Sequence, residues 1–166
     1  SRQAATEPLP GPDISEAVFD HLSGAIRYRT ISYSEDAEPD SAAFNGFHRF
    51  LRETFPKVHA NLGLEKINRY SLLYTWKGSD SNKKPIILMS HQDVVPVDQP
   101  TLADWEAGPF EGKVTATHII GRGTMDDKGS LMAILESVEM LLAEGFAPKR
   151  TFYLAFGHDE EVGGAN

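Results

Sequence analysis

Apolar residues recur at helical spacing in three stretches of the chain. Ile14, Val18, Leu22 and Ile26 lie four apart and predict a helix running to about Arg27. Asp13, with Glu16 three residues on, has the form of a capping box at its start. Phe44, Phe47, Leu51 and Phe55 predict a second helix from near Ser41, ended by Pro56. The fullest pattern covers residues 130–146. There Leu131, Ile134, Leu135, Val138, Leu141 and Leu142 make one broad apolar face, and Gly145 suits a C-terminal stop.

Elsewhere the pattern is that of strands. Residues 70–77 are rich in Leu, Tyr and Trp. Residues 85–90 hold Ile86-Ile87-Leu88-Met89, apolar on both faces as in a strand buried within an α/β sheet. Residues 115–120 and 151–156 read as further strands, and 94–113 as a long loop with Pro96, Pro100, Trp105 and Pro109. Residues 1–12, with Pro8, Pro10 and Pro12 and no periodicity, read as an extended arm. The order α, α, then β-β-β-α-β predicts a layered sheet-and-helix α/β domain over residues 13–166.

Composition narrows the chemistry. A length of 166 residues suits one domain or most of one. The net charge of −8 argues against a nucleic-acid or acidic-membrane surface, and no apolar run is long enough to span a bilayer. With no cysteine, disulfides and thiolate metal sites are excluded, so any metal must be held by His, Asp and Glu.

Three polar clusters each follow a predicted buried strand or precede the long helix, where α/β sheets place their ligands. The first is Ser90-His91-Gln92-Asp93. Side chains two apart in a strand share a face, so Asp93 can accept one ring N–H of His91 and leave the other nitrogen for a metal. An ordinary polar strand end is the plainer alternative. The second cluster is Gly121-Arg122-Gly123-Thr124-Met125-Asp126-Asp127-Lys128-Gly129. It fails as a Walker A loop, because Asp127 stands where glycine must precede the lysine. It fails as a dinucleotide fingerprint, because Asp126 stands where the third glycine is needed. A carboxylate on such a loop is a good cation ligand, although Asp126 or Asp127 could instead cap the helix. The third is His158-Asp159-Glu160-Glu161, whose consecutive acids repel one another unless a cation or solvent intervenes. Adjacent glutamates allow one to bind metal while the other acts as general base.

These clusters, with Trp105 and Pro109-Phe110 between the first two, resemble the metallopeptidase family of aminoacylase, glutamate carboxypeptidase and carboxypeptidase S. The likeness runs from about Asp13 onward and is strongest to the branch of carboxypeptidase S and the N-fatty-acyl-amino-acid hydrolases. It implies hydrolysis of an amide bond next to a free carboxylate, in short peptides or N-acyl amino acids. It implies two zinc ions, replaceable by cobalt or manganese, with a zinc-activated water as nucleophile. By that resemblance His91 holds one zinc, Glu161 the other, and Asp126 bridges both. Asp93 orients His91, Glu160 is the general base, and the Asp126–Asp127 peptide is cis.

The resemblance also implies a further acidic ligand and a histidine beyond Glu161. It further implies a lid domain that carries substrate contacts and a homodimer interface. Residues 13–166 are thus expected to be the N-terminal part of a catalytic domain, inactive alone, with an exposed sheet edge. A secreted or vacuolar, lumenal setting is favoured over the cytoplasm. His21, His48, His59 and His118 are expected to be solvent-facing or structural, and His158 to lend support near the site. Two other readings stay open: a non-catalytic binding or regulatory homologue, and a domain whose acidic loops hold a structural cation such as calcium, for which His91 is a poor ligand.

Overall fold

The computed structural model describes residue 11 and residues 14–165 of the chain. The expected arm over residues 1–12, Gly11 apart, and the capping role of Asp13 lie outside the described residues. Helix α1 (Ala17–Ile26) has Glu16 at its N-cap without a side-chain capping bond. Helix α2 (Ser41–Thr54) starts where Asp40 accepts the N–H groups of Ala42 and Ala43, which satisfies two of the free donors of a first helical turn. It buries Phe44, Phe47 and Leu51. Pro56 ends α2 but also opens a short helix, α3 (Pro56–Asn61), that the sequence reading had missed. Proline at the first helical position loses no hydrogen bond, so one residue closes one helix and begins the next.

Strands β1 (Gly63–Ile67), β2 (Ser71–Trp76), β3 (Ile86–His91) and β6 (Phe152–Gly157) form a sheet in the order β1-β2-β6-β3. β1 and β6 each run antiparallel to β2, while β3 and β6 are parallel. A minor hairpin joins β4 (Lys113–Val114) and β5 (Ile119–Ile120). The strand expected over residues 115–120 shrinks to β5, because the Thr115 hydroxyl accepts the N–H groups of Thr117 and His118 and closes a turn. Helix α4 (Lys128–Ala143) follows. Gly145, at φ 75°, lets the chain leave α4 with its N–H on the Leu142 carbonyl.

The core lies between one face of this sheet and the helices. Leu72, Tyr74, Leu154 and Phe156 from the strands pack with Phe47, Leu51, Leu131 and Leu135. The opposite face corrects an expectation. β3 is not buried on both sides, since Ile87 is 58% and Met89 74% exposed. Side chains alternate along β3, so only those on the core face, such as Leu88, reach the core. No helix of the described residues is long and apolar enough to cross a membrane.

Candidate metal centre

The parallel register sets His91 beside Gly157, so the loops that leave β3 and β6 emerge side by side. The glycine-rich loop before α4 reaches the same place. Ser90 fastens it there, its hydroxyl donating to the Asp127 carbonyl at 3.0 Å. The Asp126–Asp127 peptide is cis, as the resemblance implied. Close packing explains Gly129: a Cβ at this position would overlap the carbonyl of Thr124.

All five predicted site residues meet here. One ligand atom from each of His91, Asp126 and Glu161 lies within 4.8 Å of the others. His91 Nε2 is 2.9 Å from Asp126 Oδ1 and 3.7 Å from Glu160 Oε2. His91 Nδ1 faces Asp93, 3.2 Å from Oδ1 and 3.0 Å from the main-chain oxygen. Asp93 is fully buried, and its carboxylate also accepts the N–H groups of Glu160 and Glu161.

The electrostatics follow from this crowding. Burial disfavours a charged His91, but hydrogen bonds to Asp93 and Asp126 outweigh it and push its pKa up to about 9. Burial alone would raise Asp93; contacts with His91, Ser32 and the Glu161 N–H prevail and hold it below the usual range. Glu161 is raised, first by burial and then by the nearby Asp126 carboxylate. One imidazole nitrogen thus faces several carboxylates, a donor set suited to a borderline cation such as zinc. Beside it, Leu72, Met89 and Phe156 line an apolar hollow of about 490 Å³ that reaches His91 and Glu160.

A profile of the peptidase family M20/M25/M40 matches residues 87–166. Over these residues the chain is similar to that family. Among M20 relatives, "Probable carboxypeptidase S-like 2" of Dictyostelium discoideum is 55% identical over 147 residues, covering 87% of this chain and 28% of that protein. "N-fatty-acyl-amino acid synthase/hydrolase PM20D1" of Mus musculus is 43% identical over 150 residues, 89% of this chain and 29% of that protein. The chain therefore spans less than a third of the length of these relatives. An M20 family metallo-carboxypeptidase from Sulfolobus solfataricus shares the fold at a TM-score of 0.68, with 23% identity over 89% of this chain and 32% of that chain.

The remaining histidines are structural or exposed. His48 and His158 are buried, bonded to Gln92 and Ser71 respectively, and His21 pairs with Glu136 at 2.6 Å. His59 contacts the Phe55 carbonyl and the Tyr74 hydroxyl, whereas His118 is exposed. Sequence reasoning had assigned no part to Lys128 or Gln92, both fully buried. Lys128 Nζ donates to the carbonyls of Ala25 and Tyr28 at 3.1 and 2.6 Å and so ties α4 to the end of α1. Its signal was present: Lys128, Leu131, Met132 and Leu135 share one helical face.

Proposed function

We propose that this chain carries the catalytic core of a zinc-dependent amidohydrolase. Its reaction is hydrolysis of an amide bond next to a free carboxylate, in short peptides or N-acyl amino acids. The observation that carries this reading is the convergence of His91, Asp126 and Glu161 at one point, with Glu160 beside them. The relatives support the substrate class, one being named a carboxypeptidase S-like protein and the other an N-fatty-acyl-amino acid synthase/hydrolase.

In this reading His91 would hold one zinc ion and Glu161 the other, and Asp126, within reach of both, would serve the two together. Bound there, zinc supplies Lewis-acid polarisation of the scissile carbonyl and lowers the pKa of a water to near neutrality. Asp93 holds His91 Nδ1–H, which leaves Nε2 for the ion. Glu160 accepts the proton of the attacking water on its carboxylate and returns it to the leaving amine nitrogen. Residues 13–166 are the N-terminal portion of the catalytic domain in this account, and the lid and any dimer contact belong to other parts of the protein.

The test is zinc content by elemental analysis, with hydrolysis of dipeptides and N-acyl amino acids by the intact protein before and after chelation. Activity lost on chelation and restored by zinc is expected. A protein that hydrolyses neither class when loaded with zinc, or that retains calcium in preference to zinc, would overturn the proposal.

A further inference from the structure

Gln92 stands between His91 and Asp93, and its side chain points the opposite way, into the interior. It is fully buried. Its amide nitrogen donates to the carbonyls of Tyr70 at 2.8 Å and Phe156 at 2.9 Å. Carbonyls cannot donate, so the amide orientation is forced and Oε1 must face His48 Nε2, 2.7 Å away. His48 therefore carries its proton on Nε2. Burial lowers its pKa to about 4, which keeps the ring neutral. The main chain of Gln92 is also engaged: its N–H reaches the Gly157 carbonyl at 2.8 Å, and its carbonyl accepts the Thr30 hydroxyl at 2.7 Å.

From these contacts we infer that Gln92 is a positioning residue for the centre, anchored by His48. The inference rests on the metal-centre reading given above. The carboxamide links three separate parts of the chain: α2 through His48, the start of β2 through Tyr70, and the end of β6 through Phe156. Its two sequence neighbours are the imidazole that faces Asp126 and the carboxylate that holds the Glu160 and Glu161 main chain. A rotation of residue 92 moves both neighbours at once, because all three share one short run of backbone. A plain apolar side chain could fill the same volume but could not fix that rotation. Every hydrogen-bonding position of the carboxamide that the argument uses is filled, as a rigid buried support requires.

The test compares Gln92→Met, His48→Leu and His48→Gln in the intact protein. Met keeps the volume of Gln92 without its hydrogen bonds. His48→Gln places an amide donor near the position of Nε2–H, whereas His48→Leu removes the donor. Zinc affinity is read by competition with a chromophoric chelator on folded protein, beside a thermal melt. Gln92→Met and His48→Leu are expected to weaken zinc binding roughly 10- to 100-fold, and His48→Gln to stay within about 2-fold of the parent. His48→Leu reads the same support from α2 should Gln92→Met fail to fold. Lower melting temperatures with unchanged zinc affinity would overturn the inference and leave Gln92 a core residue only. His91→Ala is the control: if it binds zinc as tightly as the parent, the metal-centre reading itself fails, and this inference falls with it.

Discussion

The buried carboxylate of Asp93 accepts the backbone N–H of Glu161 at 3.1 Å, across 68 residues of sequence. Its other oxygen accepts the N–H of Glu160 at 3.2 Å and lies 3.2 Å from His91 Nδ1. One side chain therefore orients the imidazole and also holds the main chain that carries both glutamates. The turn after β6 is placed by Asp93 as much as by its own sequence.

Asp93→Asn tests that double role. An amide offers one acceptor oxygen, so at least one of the donors around Asp93 would face an N–H instead. Zinc affinity should fall roughly 10- to 100-fold. Stability should fall by about 1–3 kcal/mol, the cost of leaving a buried donor unsatisfied. Chelator competition and urea unfolding measure the two, and a loss of stability with full zinc affinity would confine Asp93 to structure.

Glu160 and Glu161 are separable by their readouts. Glu160→Gln should retain zinc and lose roughly 10²- to 10⁴-fold in turnover, the usual contribution of a general base. Glu161→Gln should lose zinc. If Glu160→Gln releases the metal and Glu161→Gln keeps it, the two roles are exchanged.

His91 and the Glu160-Glu161 pair were legible because their clusters follow strands whose apolar runs are plain, as Leu88-Met89 precedes His91 and Ala155-Phe156 precedes His158. Other features left no local trace. β1 reads Gly63-Leu64-Glu65-Lys66-Ile67 and is mostly exposed, so no buried face marks it. α3 opens on Pro56, which in sequence signals only the end of α2. Gln92 finds its side-chain partners 22, 44 and 64 residues away, and nothing near residue 92 in sequence foretells them. The exposure of Ile87 and Met89 was hidden for a related reason: an apolar run does not say how many of its faces are covered.

Gly129→Ala sets two effects against each other. Inside a helix alanine is favoured over glycine by about 1 kcal/mol. Here the added methyl would collide with the Thr124 carbonyl, a backbone atom that cannot swing aside. Sterics should win: the melting temperature should drop, and zinc affinity with it as the loop carrying Asp126 is displaced. A variant that melts higher than the parent would show that the loop yields freely.

His48 should make the protein acid-sensitive, and the sign follows from its environment. Burial lowers its pKa from 6.5 to about 4, with Lys66 and His158 pushing the same way against the hydrogen bond it donates to Gln92. Between those two pH values the unfolded chain binds a proton that the folded one does not. Folding stability therefore falls as pH drops from about 6.5 towards 4. His59 and His158 are lowered as well and add to the same limb. His48→Gln cannot titrate, yet it keeps a donor for Gln92 Oε1. Its stability should fall less steeply over this window, by up to about one proton per molecule in the slope of unfolding free energy against pH. Urea unfolding at a series of pH values, parent beside variant, gives that slope directly. Identical slopes would mean that the His48 ring takes up a proton in the folded state, so that the contact with Gln92 does not require it neutral.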